Sequence, residues 1–152
     1  MTPQDEDRAA LRRAAALYAR GADRRSKDDW RAVLAEEVEI AGPGFVASGI
    51  EACLQSIDFL THAFKATRHI VHDQIVEIAG DHASGETLCT AEHRIANAEG
   101  PDALMCWAIR YQDEWRRDGA DWRFTRRHLI VDWEENRPVG DPGPPPPPNE
   151  NR

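Results

Sequence analysis

The chain has no apolar run approaching the ~20 residues that a membrane span needs. Its opening, MTPQDED, lacks the basic stretch and apolar core of a secretory signal. Basic charge is also short: 27 Asp and Glu against 19 Lys and Arg leave a formal charge of -8. Nucleic acid and anionic membrane surfaces both call for a basic face, so neither is an expected partner. The three cysteines, Cys53, Cys89 and Cys106, are odd in number and have no C-x-x-C spacing. This argues against a disulfide framework or a cysteine zinc site, and for small buried thiols in a reducing cytoplasm. There is no G-x-S-x-G elbow and no G-x-x-x-x-G-K-[ST] loop, and Gly42, Gly44 and Gly49 lack dinucleotide-binding spacing.

What is present is one domain's worth of chain: 152 residues, 41% hydrophobic, enough for a single core. The first half reads as helical. Thr2 is a cap with Pro3 at the first position and Asp5 and Glu6 in the first turn; Leu11, Ala15, Tyr18 and Ala22 recur at helical spacing until Gly21 weakens the end. Ser26 caps a second helix carrying Trp30, Val33 and Leu34 on one face, and Ser48 with Glu51 forms a capping-box pattern for a third, with Ile50, Cys53, Leu54 and Ile57 inward. Between them, residues 38–48 are broken by Gly42-Pro43-Gly44 into two short strands or a bent hairpin. The second half predicts long strands over 67–79, 83–96, 103–116 and 121–133, separated by turn residues such as Gly80-Asp81 and Asp118-Gly119. Helices followed by an antiparallel meander make an α+β order that can enclose a pocket. Residues 1–136 are read as the domain. Residues 137–152, with five consecutive prolines from Pro144 to Pro148, are read as a flexible or extended tail.

Several segments together resemble a known family: Tyr18-Ala-Arg-Gly-Ala-Asp23 at the end of the first helix, Glu36-Glu37-Val38 entering a strand, Thr67-Arg68-His69-Ile70-Val71, Arg110-Tyr111-Gln112-Asp113 and Asp121-Trp122-Arg123-Phe124. The pattern is similar to the SnoaL-like branch of the NTF2-like superfamily. The resemblance implies a cone-shaped fold, with three N-terminal helices packed in a strongly curved antiparallel sheet around a deep apolar pocket. It also implies a homo-oligomer, trimer or dimer. Members named in that branch include polyketide cyclases, scytalone dehydratase, bile-acid dehydratases, ketosteroid isomerase and limonene epoxide hydrolase, while others only bind ligands or stabilise a partner.

The resemblance places Tyr18, Asp23, His69 and His93 at catalytic positions and leaves open a role for Arg126, which resembles a recurrent arginine of the last strand. An imidazole oriented by a carboxylate is a proton carrier near neutrality, a carboxylate in an apolar pocket can itself act as base, and a tyrosine hydroxyl can hold a carbonyl. The implied activity is that of a cofactor-independent lyase or isomerase on a hydrophobic cyclic hydroxy-carbonyl compound, with His93 as proton donor to a leaving hydroxyl. The alternative is a non-catalytic small-molecule-binding or partner-stabilising module. A third reading, epoxide hydrolysis, needs an Asp–Arg–Asp set, for which Arg110 or Arg126 with Asp132 are the candidates.

Each residue also has a plainer reading. Asp23 beside Arg24 and Arg25 is a surface acid unless it faces a strand; Tyr18 and Asp23, about 140° apart on an ideal helix, converge if the helix ends or bends at Gly21. Alternation puts Thr67, His69, Val71 and Asp73 on one face. His69 and His72 then point oppositely, so their H-x-x-H spacing predicts no metal site. Trp107 and Tyr111 share a face and either wall the pocket or pack on a neighbouring subunit. His62, His82 and His128 show no partner at this level.

Overall fold

The computed structural model describes residues 1–148; residues 149–152 of the expected tail lie outside the described residues. The first helix, α1 (Pro3–Arg24), begins at a reciprocal cap. Thr2 Oγ1 accepts from the Asp5 backbone N–H at 3.2 Å, and the Thr2 N–H donates to the Asp5 carboxylate at 2.9 Å. It does not end at Gly21. The helix runs to Arg24 and closes on Arg25, whose φ of 55° is left-handed. Gly21 instead permits a close approach: a Cβ there would lie 2.4 Å from Trp30 Cδ1. Trp30 belongs to α2 (Lys27–Val33), capped by Ser26, whose Oγ accepts from the Asp29 N–H at 3.2 Å. The third helix, α3 (Ile50–Ala63), starts at Gly49 with φ 86° and no side-chain cap bond. Ser48, expected as its cap, is the last residue of a strand, because a glycine at positive φ already makes the turn.

The strands are β1 (Leu34–Gly42), β2 (Phe45–Ser48), β3 (Ala66–Ala79), β4 (His82–Ile95), β5 (Asp102–Asp118) and β6 (Asp121–Val139). They form one curved, unclosed sheet in the order β2-β1-β6-β5-β4-β3. Neighbours are antiparallel except β1 with β6, which run parallel. Helices α1 and α3 bury Leu11, Ala15, Leu54 and Ile57 against Val38, Ile109 and Phe124 of the sheet. This is the α+β fold that the sequence predicts. No helix among the described residues is long and apolar enough to cross a membrane.

Two local departures from simple alternation matter for the site. In β3, Val71 pairs with Cys89 and Gln74 with Thr87, so one residue is extra on β3. The inward series becomes Thr67, His69, Val71 and then Gln74, and Asp73, expected beside His69, is exposed. In β6, Phe124 pairs with Trp115 and Arg126 with Glu114, leaving Thr125 as the extra residue. Arg127, not Arg126, then faces inward.

The strand also outlasts the expected domain boundary at 136: β6 continues to Val139, which pairs with Asp102. At Pro138 the strand has a neighbour on one side only, since β1 flanks β6 only as far as His128, and proline is tolerated at such an edge. Residues 140–148 carry no regular structure, and Asp141 accepts from Arg94 Nη2 at 2.8 Å.

Candidate functional site

A cavity of about 470 Å3 opens between the helices and the concave face of the sheet. Its walls are mostly apolar, with Ile40, Leu60, Ile109 and Leu129 contributing. Its polar or aromatic walls include Tyr18, His69, His93, Trp107 and Tyr111.

The last turn of α1 carries Asp23 to the start of β3. Asp23 Oδ1 accepts from His69 Nδ1 at 2.7 Å and from the Thr67 hydroxyl at 3.1 Å; Oδ2 accepts from the His69 backbone N–H at 2.8 Å. The Thr67 hydroxyl accepts in turn from Arg25 Nη1 at 2.7 Å, which directs its proton to Asp23. Arg25 is anchored by Ala22 O, and by Leu60 O at 3.4 Å. The αL residue that ends the helix therefore sets the carboxylate in place. Burial pushes the Asp23 pKa up, but the ring and backbone hydrogen bonds from His69, the charge of His69 and the Thr67 bond outweigh it and leave it lowered. Asp23 is thus held as a carboxylate. The expectation that burial would make it a base does not hold, because three donors converge on it. With Nδ1 bonded to the carboxylate, Nε2 is the ring nitrogen left for the cavity, and it is a lone-pair acceptor whenever the ring is neutral.

His93 is the second imidazole, its ring centroid 6.0 Å from that of His69. Its Nδ1 donates to the Met105 carbonyl at 3.1 Å, and burial lowers its pKa. A neutral ring that donates through Nδ1 keeps Nε2 as an acceptor. In that state His93 offers an acceptor at Nε2, where the resemblance implies a proton donor. It is packed at its edges by Phe64 at 4.6 Å and Trp107 at 5.4 Å, and Trp107 Nε1 donates to Glu134 at 2.8 Å.

Tyr18 does not converge on Asp23, because the helix is unbroken at Gly21. It stacks on Trp30 at 4.4 Å, receives the Trp30 indole N–H on its carbonyl at 2.8 Å and meets Tyr111 edge-on at 6.1 Å. Both phenols line the cavity. Burial raises the pKa of each well above the ordinary phenol value, so each keeps its proton as a donor.

Arg126 lies elsewhere. It is exposed on the outer face of the sheet and bonds His128, which also contacts Glu39 at 2.6 Å. Thr125 turns it there by shifting the alternation of β6. Arg110 and Asp132 do form a two-pronged pair at 2.9 Å, also on the outer face and away from the cavity, which removes the geometric basis for an epoxide-opening set. His72 bonds Thr90 at 2.7 Å on the exposed side, opposite His69. Among the described residues no group of three His, Cys, Asp or Glu is placed to hold a metal. Cys53, Cys89 and Cys106 are buried and unpaired.

The residues not anticipated are Arg25, Thr67, Asp113 and Arg127. A signal for Arg127 exists in the sequence: the apolar positions of β6 fall on even numbers at Trp122 and Phe124 and on odd numbers at Leu129 and Val131, which marks an extra residue between them.

A family model for the SnoaL-like domain matches residues 4–128. No curated protein matches the chain. Among solved structures, the Kfla4162 protein from Kribbella flavida superposes with a TM-score of 0.80 at 24% identity, over 87% of this chain and 95% of that one. A provisionally assigned scytalone dehydratase from Novosphingobium aromaticivorans DSM 12444 gives 0.77 at 22%, over 93% and 94%. The hexachlorocyclohexane dehydrochlorinase LinA-type3 from Novosphingobium barchaimii LL02 gives 0.80 at 17%, over 93% and 97%. At these identities the likeness establishes the fold.

Proposed function

The chain belongs to the SnoaL-like family, and on that footing we propose that it is a cofactor-independent lyase, a dehydratase or isomerase working by acid–base chemistry on an uncharged, hydrophobic cyclic hydroxy-carbonyl compound. The observation that carries this reading is the 2.7 Å bond between Asp23 and His69 Nδ1 at the wall of an apolar cavity. A container for ligands needs the cavity but not an imidazole locked in one tautomer. Two of the structural relatives are named for eliminations, of water from scytalone and of hydrogen chloride from hexachlorocyclohexane. Among the described residues no Lys or Arg lines the cavity, which suits a neutral substrate, and about 470 Å3 suits one to three fused rings.

In this mechanism the Tyr18 hydroxyl donates to the substrate carbonyl. His69 Nε2 takes the proton from the adjacent carbon, and the C–H electron pair becomes an enolate whose oxygen stays bonded to Tyr18. Asp23 supplies the counter-charge to the imidazolium. The enolate collapses, the carbonyl re-forms, the β-hydroxyl leaves with its electron pair, and His69 returns the proton to it as water. His93 Nε2 accepts the hydrogen bond of that hydroxyl before it leaves, turning its oxygen lone pair toward His69. Returning the proton to a more distant carbon instead gives double-bond migration. Self-association as a dimer or trimer in the cytoplasm is part of the same reading, and solution mass by light scattering decides the first.

The test is turnover of a panel of fused-ring β-hydroxy ketones, followed by enone absorbance. His69→Ala is expected to reduce kcat by about 10²–10⁴-fold and Asp23→Asn by at least about ten-fold, with melting temperatures near wild type. Unchanged turnover in both variants overturns the assignment.

A further inference from the structure

Directly behind the two cavity tyrosines sits a buried ion pair. The Arg127 and Asp113 side chains are 1% and 0% exposed, joined at 2.9 Å through Nε and 3.2 Å through Nη2. The carboxylate also accepts from the Thr87 hydroxyl at 2.8 Å, and Gln74 donates to Thr87 at 3.1 Å. The two extra residues of β3 and β6 thus turn Gln74 and Arg127 inward to the same cluster. The faces of the guanidinium are covered by rings. Its carbon lies 3.6 Å from the Tyr111 centroid, 4.4 Å from that of Tyr18 and 4.5 Å from that of Phe124. Asp113, Tyr18 and Tyr111 are the titratable groups against it, and Cys89 lies within its field.

A buried ion pair is a poor source of stability, since well-packed apolar residues of the same volume serve as well. A permanent cation on the faces of two phenols has another consequence. It draws electron density from the rings, strengthens their hydroxyls as donors and favours negative charge at the point they face. Arg127 does not line the cavity, but Tyr18 and Tyr111 do.

We propose that Arg127 is a positioning residue of this site: held by Asp113, it fixes and polarises Tyr18 and Tyr111 so that the cavity favours ligands bearing an oxyanion, an enolate or a phenolate, over their neutral forms. This rests on Tyr18 as the carbonyl anchor of the mechanism above. It adds the source of the bias and a specificity that binding alone reveals.

The probe is 2-naphthol, whose neutral and ionised forms are distinguished by absorbance and fluorescence. Its ionisation is titrated free and bound to the wild type and to the double variant Arg127→Met/Asp113→Leu, which removes both charges and leaves neither partner buried alone. Thermal unfolding verifies that the double variant folds. The wild type is expected to prefer the naphtholate over the neutral form about ten-fold more than the double variant does. Tyr18→Phe is expected to lose part of the preference with Arg127 in place, and Arg127→Lys to retain part of it. Equal preference in wild type and double variant overturns the proposal. Because the ratio comes from binding, a protein that turns over none of the hydroxy ketones still returns either result, so the two failures are separable.

Discussion

Gly21 couples the end of α1 to the tyrosine wall. A Cβ at this position would stand 2.4 Å from Trp30 Cδ1, 2.9 Å from Trp30 Nε1 and 3.1 Å from Asp29 Cβ. The indole cannot retreat freely, since it is stacked on Tyr18 at 4.4 Å and donates to the Tyr18 carbonyl at 2.8 Å. Alanine is the better helix former by about 1 kcal/mol, but overpacking costs about 1–3 kcal/mol, and here the crowded partner is a ring held on two sides. Gly21→Ala is therefore expected to destabilise by about 1–2 kcal/mol in urea unfolding, with a change in Trp30 fluorescence. A variant more stable than wild type would mean the helix gain dominates. Asp23 and His69 were candidates in the sequence through the family resemblance, which the local segments Tyr18–Asp23 and Thr67–Val71 are enough to carry. Arg25 and Thr67, which lock them together, were not. Their roles depend on a left-handed helix end meeting a strand 42 positions away, and spacing in the chain carries no sign of that meeting.

At the scale of elements, the strands were legible and their faces were not. Turn residues such as Gly80-Asp81 and Asp118-Gly119 located β3 to β6 closely, because turn chemistry is written in a few positions. Alternation failed at the two extra residues, near His72 and at Thr125. One additional residue reverses every later side chain, which is why Asp73 was placed on the face of His69 and why Gln74 and Arg127 were overlooked. The join between β3 and β4 has its own narrow tolerance. A Cβ on Gly85 would lie 2.1 Å from the Ile75 carbonyl oxygen and 2.8 Å from Val76 Cα, and backbone has no rotamer to move into. Gly85→Ala is expected to push β3 from β4 and destabilise by about 2–3 kcal/mol. Hydrogen exchange should report the loss of protection along β3. Wild-type stability would show that the strands can separate without cost.

For the whole molecule, acid should act through the cavity. Burial lowers the His93 pKa, with the Met105 carbonyl opposing and the neighbouring His69 charge adding to the shift. A histidine with a depressed folded pKa favours the neutral form in the fold. Its contribution is complete above the unfolded value of about 6.5 and is lost as the pH falls through the folded value. Asp23 is also depressed, by donors that outweigh burial, so its contribution is complete above about 3.9 and is lost below. The acid limb of stability should therefore have two stages, an imidazole stage beginning near pH 6.5 and a carboxylate stage near pH 4. His93 lines the cavity and Asp23 bonds His69 on its wall, which joins α1, β3 and β4, so protonation there loosens the helix-to-sheet contact rather than a single loop. His93→Gln keeps an amide donor for the Met105 carbonyl and removes the titration. Urea unfolding between pH 4 and 8 is expected to show wild-type stability falling below about pH 6.5 and the variant holding level until the carboxylate stage. A wild type that is flat from pH 5 to 7, or a variant that retains the slope, would remove His93 as the cause.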